Sequence, residues 1–257
     1  MRRLTAALLA LSLLAAGCGG SGASSSQPAG GTLTVFAASS LTNAFTDLAK
    51  TYQSQHPGWK VQLNFAGSDA LTAQIEQGVD ADIYAAASPK YPEQLQGEKL
   101  LGDTTDFATN TLVLVVPSDN PAGITKVTDI AKGAKLVVGD PAVPIGAYTE
   151  TVLGNLGIDS TSLDIVSREP AVTSILQKVK LGEADGGFVY VTDALSAGDR
   201  VKQIALPAAA QATAVYPIGI VSGSKQAKAA QQWIDLVMSS QGQQALTGLG
   251  FGPAPSS

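Results

Sequence analysis

Val35-Phe36-Ala37-Ala38-Ser39-Ser40-Leu41-Thr42-Asn43-Ala44-Phe45 is the stretch from which the fold is best read. Its β-branched and aromatic residues stop at small ones, and apolar residues at helical spacing begin after Ser40, a favoured N-cap. The pattern predicts a strand that leads into a helix N-terminus carrying a hydroxyl group. Free N–H groups and the positive end of the helix dipole suit an anion there. The alternative is a serine that only caps its helix.

Further strands and helices alternate along the chain. Strands are predicted at residues 32–37, 60–65, 82–85, 111–116, 135–138, 187–190 and 215–221. Helices are predicted at residues 41–53, 69–77, 90–96, 146–156, 171–181, 226–238 and 241–247. This alternation indicates an α/β fold with a largely parallel sheet, in which ligands gather beyond the carboxyl ends of the strands.

The N-terminus has the layout of a secretory signal, with Arg2 and Arg3 followed by an apolar run over residues 4–16. The run is shorter than the ~20 residues that a membrane-spanning helix needs. It ends in Leu-Ala-Ala-Gly-Cys at residues 14–18, which resembles a bacterial lipobox. The resemblance implies a signal peptide over 1–17 and a lipid on Cys18, the only cysteine of the chain. An ordinary signal with an incidental thiol is the alternative.

Residues 18–31 have no charge and, after Cys18, no large apolar side chain. Such a stretch behaves as a flexible tether. A lipidated cysteine, a tether and a folded body together predict an extracytoplasmic protein that is held at the outer face of the cell membrane.

The charge balance limits the choice of partners. The formal net charge is −5, and it falls to −7 when Arg2 and Arg3 leave with the signal peptide. An acidic chain with 5% aromatic residues is not expected to bind nucleic acid, which requires a basic face. Long-range attraction of anions is also excluded, so a bound anion must be held by local donors.

Three further junctions carry candidate site residues. Residues 65–71 repeat the first design with Ser68, in a region that has no Lys or Arg from Val61 to Pro89. At the turn of residues 139–148, Asp140 is interpreted as a turn or cap residue. At residues 186–194, the local sequence predicts that Tyr190 is a core tyrosine with a locally satisfied hydroxyl. It predicts that Asp193 is an N-cap.

The sequence gives little support for an enzyme active site. The single histidine, His56, lies at a predicted helix exit, and no G-x-S-x-G elbow, chelating His/Cys spacing or glycine-rich phosphate motif occurs. Asp80 and Asp82 form a close pair that is interpreted as solvated turn residues. An exported enzyme that uses Asp80, Asp82 or Asp140 remains the alternative from another class.

Four motifs together resemble the substrate-binding proteins of bacterial molybdate ABC transporters. They are VFAASSLTNAF (35–45), FAGSDALTAQIEQGVDADIYAAA (65–87), VVGDPAVPIGAY (137–148) and GFVYVTDA (187–194). The resemblance implies a two-lobed type II periplasmic-binding-protein fold, each lobe having a mixed, mainly parallel sheet flanked by helices. With chain crossings near 109–111 and 214–217, lobe one comprises 32–110 plus 215–257 and lobe two 111–214.

The same resemblance implies a site made only of uncharged donors. Carried over by motif, the donors are the hydroxyl and N–H of both Ser40 and Ser68, the N–H groups of Ile145 and Val172, and the Tyr190 hydroxyl. No catalytic residue, cofactor or metal cation is implied, because molybdenum is bound as its oxyanion.

Asp69 departs from the family, where a small hydroxyl residue or Gly is common. It either faces outward as a first-turn acid or weakens the site and alters its preference.

The implied function is capture of molybdate, and of tungstate alike, followed by delivery to a membrane permease by a monomeric, lipid-anchored protein. A phosphate, sulfate or organic-anion carrier on the same fold is the alternative. Hydrogenphosphate carries a proton that needs an acceptor, and Asp69 is a candidate for that acceptor.

Overall fold

The computed structural model describes residues 30–255. The predicted signal peptide, Cys18 and almost all of the predicted tether therefore lie outside the described residues. Within the described part, no helix has the length and apolar character needed to cross a membrane.

Strands and helices alternate as expected, and the α/β class is confirmed. The strands are β1 (Thr32–Ala38), β2 (Lys60–Ala66), β3 (Ile83–Ala85), β4 (Leu101–Pro117), β5 (Lys135–Gly139), β6 (Asp164–Glu169), β7 (Gly186–Tyr190), β8 (Val201–Ile204) and β9 (Thr213–Val221). The helices are α1 (Thr42–Gln55), α2 (Ser68–Glu76), α3 (Lys90–Gly97), α4 (Pro144–Asn155), α5 (Val172–Lys180), α6 (Val191–Ala197), α7 (Ala227–Met238) and α8 (Ser240–Gly248).

The strands follow the order β2-β1-β3-β9-β4-β7-β5-β6, with β8 paired to β4. Pairing is parallel at both ends, where β1 lies between β2 and β3, and β5 between β6 and β7. The long strands β4 and β9 join the two ends through antiparallel pairs. The sheet therefore has two parallel regions connected by two long strands.

Strand β4 changes its partner along its length. Its first part pairs with β9 as far as Thr111, and its second part pairs with β7 from Leu112 onward. This change falls next to the predicted crossing at 109–111. The division of the chain into lobes at these residues stays a prediction.

Three elements were not expected: β6, β8 and α6. Strand β6 has the sequence DIVSRE and is half exposed. Because most of its residues are polar, it lacks the apolar run that would predict a strand. Strand β8 has only four residues, and α6 follows β7 without a Gly or Pro between them. Strand β4 also begins earlier than predicted, because its first half is rich in Thr and Asp.

A line of buried aromatic rings runs through the core toward the ends of the strands. The Phe45 ring lies 5.4 Å from that of Trp233 and 5.8 Å from that of Phe107. Tyr216 follows at 6.1 Å from Phe107, and Tyr190 at 6.1 Å from Tyr216. Three of these four pairs are edge-to-face, an arrangement that is stabilising beyond the burial of the rings. The rings of Tyr190 and Tyr216 are thus fixed in place by the aromatic rings that pack against them.

Candidate functional site

All five predicted ligand residues line one small cavity. Ser40, Ser68, Ile145, Val172 and Tyr190 are all part of its lining. Its remaining walls are small or apolar residues, and no Lys, Arg, His, Asp or Glu of the described part contributes to the lining. We call this space the central cavity.

Helices begin around the central cavity on several sides. Helix α2 begins at Ser68, α5 at Val172 and α4 at Pro144, and a 3-10 turn over Ser39–Leu41 precedes α1. None of these four starts has a side-chain capping bond within the described residues. The first N–H groups of a helix have no partner within the helix, so they are available to a ligand. Together they supply a positive potential without a formal charge.

Ser40 does not cap α1, and that prediction is wrong. It lies inside the 3-10 turn, while Leu41 takes the N-cap position. The Ser40 Oγ instead lies 3.0 Å from the hydroxyl oxygen of Tyr216. Burial raises the pKa of Tyr216, which therefore remains a donor. When Tyr216 donates this bond, the proton of Ser40 is free to point into the central cavity.

Ser68 also does not cap its helix, because Gly67 takes the N-cap position and Ser68 is the first helical residue. Its Oγ accepts a hydrogen bond from the N–H of Ala87 at 3.1 Å. Its carbonyl oxygen accepts one from the Tyr84 hydroxyl at 2.8 Å. The acceptor side of the Ser68 hydroxyl is used within the protein, so its proton remains for a ligand.

Tyr190 ends β7 and is 1% exposed. Its hydroxyl has no hydrogen-bond partner among the described residues, so the interpretation as a core tyrosine with a satisfied hydroxyl is wrong. Burial raises the pKa of Tyr190 well above its usual value, which keeps the group protonated. A buried hydroxyl without a partner costs free energy that a ligand can recover.

Ile145 and Val172 have buried apolar side chains, so their contribution to a polar ligand comes from the backbone. Ile145 is the second residue of α4 and Val172 the first of α5. Helix α4 approaches β5 so closely that a Cβ on Gly146 would lie 1.9 Å from the carbonyl oxygen of Asp140. Glycine at this position is what allows the start of α4 to lie against the strand end.

The acidic candidates have other roles. The Asp140 carboxylate accepts the N–H of Ala142 at 2.9 Å, which confirms it as a turn residue. Asp82 is buried and accepts the N–H of Thr34 at 2.8 Å and the hydroxyl of Ser224 at 2.7 Å, so its interpretation as a solvated turn residue is wrong. Asp80 is exposed as expected.

Asp193 is not the N-cap of α6, because Tyr190 holds that position and Asp193 lies within the first turn. The side chain is buried, and its Oδ2 has no partner within the described part of the chain. Burial raises the pKa of Asp193 to about 7.

Sequence reasoning missed Tyr216 and Gly67. Tyr216 lies on β9, 176 positions from the serine that it contacts, and no local pattern connects the two. Gly67 lies within a quoted motif, but its close approach to the residue before α5 becomes visible only in three dimensions.

The family described as bacterial extracellular solute-binding protein matches residues 33–252. The molybdate-binding protein ModA of Mycobacterium tuberculosis is 38% identical over 255 residues, which cover 96% of this chain and 95% of that protein. The putative ABC transporter substrate-binding lipoprotein YvgL of Bacillus subtilis is 32% identical, with 95% of each chain covered.

Among solved structures, the periplasmic molybdate-binding protein of Azotobacter vinelandii superposes with a TM-score of 0.77. The match covers 87% of this chain and all of that one at 21% identity, and it supports the fold. The resemblance found in the four motifs is confirmed, and these relatives are named as binding proteins rather than enzymes. This chain therefore belongs to the bacterial extracellular solute-binding protein family, and molybdate-binding proteins are among its relatives.

Proposed function

We propose that this protein captures molybdate in the central cavity, takes tungstate equally well, and delivers the oxyanion to the membrane permease of an ABC transporter. The observation that carries the proposal is a cavity lined by uncharged donor residues without a charged side chain in the lining. The family membership and the molybdate-binding name of the M. tuberculosis relative support the same ligand.

The donor set is sufficient for tight binding. Four N–H groups and three hydroxyls come from Ser40, Ser68, Ile145, Val172 and Tyr190. A hydrogen bond to a charged group contributes roughly 1.5–3 kcal/mol. Their sum exceeds the ~8 kcal/mol that corresponds to a micromolar dissociation constant. The remainder covers desolvation of the dianion and ordering of the protein on binding.

The size of the central cavity favours a small inorganic ion. The space within it that is open to a water-sized sphere is about 20 Å³, far below the roughly 300–1,000 Å³ of pockets for drug-sized ligands. Molybdate and tungstate have nearly the same size, whereas sulfate and phosphate are smaller and leave part of a fixed donor ring out of reach. A lining without a carboxylate also lacks a charged acceptor for the proton of hydrogenphosphate.

We further propose that the two walls of the cavity belong to two lobes, residues 32–110 plus 215–257 and residues 111–214, which close on the ligand. Ser40 and Ser68 lie in the first segment, and Ile145, Val172 and Tyr190 in the second. Because one chain supplies both walls, the protein is complete as a monomer.

Calorimetric titration of the mature protein with four oxyanions tests the ligand. We expect molybdate and tungstate to bind at micromolar concentration or tighter, and sulfate and phosphate to bind at least about 100-fold more weakly, a difference of about 2.7 kcal/mol. Both tight ligands should raise the melting temperature, because a ligand that binds only the folded state stabilises it. Heat from phosphate or sulfate without heat from molybdate would refute the assignment.

We also propose that Cys18 carries a lipid that holds the protein at the outer face of the membrane. The sequence at residues 14–18 and the lipoprotein name of the B. subtilis relative support this. We expect wild-type protein in the membrane fraction of an expressing bacterium and Cys18→Ser in the soluble extracytoplasmic fraction or the medium. Equal fractionation of both proteins would contradict the anchor. The comparison uses Ser25→Ala as a control in the same tether.

A further inference from the structure

The carboxylate of Asp69 lies beside the central cavity without lining it. Asp69 is the second residue of α2, next to Ser68, whose hydroxyl faces the cavity. Its Oδ1 is buried and has no hydrogen-bond partner within the described residues. None of the ion pairs of the described part involves Asp69. The residue as a whole is half-buried, so one carboxylate oxygen lacks a donor while the side chain keeps some exposure. A buried acceptor without a donor is costly, so this arrangement needs an explanation.

The space beside Gly67 is bordered by Asp69 and by a second acceptor. A Cβ placed on Gly67 would lie 2.5 Å from the Asp69 Oδ1 and 2.4 Å from the carbonyl oxygen of Pro170. The two oxygens therefore converge on one point beside Gly67. Pro170 lies just before α5, so the start of α2 and the segment that leads into α5 approach each other at Gly67. An ionised carboxylate gains nothing from a carbonyl there, because neither group has a hydrogen to donate.

The surroundings add negative charge. The hydroxyl of Tyr91 donates a hydrogen bond to the carbonyl oxygen of Ala142, in the turn before α4. Burial raises the pKa of Tyr91, and the nearby charges of Asp69 and Asp140 raise it further. Carboxylates from both walls thus lie near the same bridging hydroxyl. Closing the walls around a dianion brings these like charges together.

We propose that Asp69 weakens the closed complex and speeds the release of the bound oxyanion without touching it. This inference rests on the proposed function, since it concerns a dianion in the central cavity. Asp69 acts as a positioning residue that opposes the approach of the α5 wall. It differs from an acid that only stabilises the first turn of α2, which would affect stability and leave affinity unchanged.

The test is Asp69→Asn, which keeps the side-chain shape and replaces one oxygen by an N–H donor that can reach the Pro170 carbonyl. We expect molybdate to bind about tenfold more tightly, equivalent to about 1.4 kcal/mol. Tungstate should gain the same factor, because the ligand is not contacted. Displacement of bound molybdate by excess tungstate should slow correspondingly. Asp69→Ser, which also removes the charge, should likewise bind molybdate more tightly than the wild type. It replaces Asp69→Asn as the test variant if the Asn variant does not fold.

Glu93→Gln is the matched control. Glu93 is an exposed carboxylate in the first turn of α3, and its replacement changes the net charge equally. Unchanged or weaker binding by both Asp69 variants, or an equal gain in Glu93→Gln, would overturn the inference. If Asp69→Asn lost phosphate binding that the wild type possesses, Asp69 would instead contact a protonated ligand. Absence of molybdate binding by the wild type would overturn the proposed function itself and the inference with it.

Discussion

Replacing Gly67 by alanine is expected to reduce molybdate affinity by at least about 100-fold, or about 2.7 kcal/mol, while the free protein stays folded. The added Cβ would lie 2.4 Å from the Pro170 carbonyl oxygen, a backbone atom that cannot move away alone. The φ angle of Gly67 is −61°, which alanine adopts without strain. The Cβ would also lie 2.5 Å from the Asp69 Oδ1, which ends a side chain that can turn away. The substitution should therefore act mainly on the approach of the two walls rather than on the folding of either.

The measurement for Gly67→Ala is calorimetric titration with molybdate together with the melting temperature of the free protein. Gly97→Ala is the matched control, because a Cβ at this α3 glycine meets no atom within 4 Å. We expect the control to bind as the wild type does. Binding by Gly67→Ala within threefold of the wild type would show that the walls do not meet at this point in the complex.

Removing both cavity hydroxyls, as Ser40→Ala with Ser68→Ala, is expected to produce the other large loss. Each hydroxyl bond to a dianion contributes roughly 1.5–3 kcal/mol, so each single variant should lose about 10- to 150-fold in affinity. The double variant should lose about 100- to 20,000-fold, with deviations from additivity because both groups contact one ligand.

The two single variants should differ in stability. Ser68→Ala removes the acceptor of the Ala87 N–H and should lower the stability of the free protein by about 1–3 kcal/mol. Ser40→Ala leaves the Tyr216 hydroxyl without its partner. Ser54→Ala, at an exposed serine of α1, controls for loss of a hydroxyl elsewhere. Wild-type affinity in either cavity variant would exclude that serine from the ligand contacts.

The strongest helical patterns predicted their elements closely. The apolar stripes of α5 and α7 are complete, and both helices begin within one residue of the expected position. Elements failed where the local signal was weak. Strand β6 is polar and half exposed, and the first half of β4 gains its strand character from pairing with β9 rather than from apolar residues.

The five residues predicted from the sequence line one cavity, but the way in which their hydroxyls are held was not predicted. Ser before a helical pattern suggests an N-cap, yet neither Ser40 nor Ser68 is one. The local pattern cannot distinguish a capping serine from one whose hydroxyl is turned toward a distant partner. The partner of Ser40 is Tyr216, and the backbone carbonyl that lies close to Gly67 comes from the segment before another helix. Both relationships depend on the tertiary packing alone.

The central claim is that dipoles and hydroxyls alone hold a doubly charged tetrahedral ion. A crystal structure of the molybdate complex, with the molybdenum located by its anomalous scattering, tests it most directly. We predict one molybdenum atom in the central cavity, with its oxygens within hydrogen-bonding distance of Ser40, Ser68, Ile145, Val172 and Tyr190. A Lys or Arg side chain in contact with the ion, or a molybdenum atom bound elsewhere while this cavity stays empty, would contradict the account.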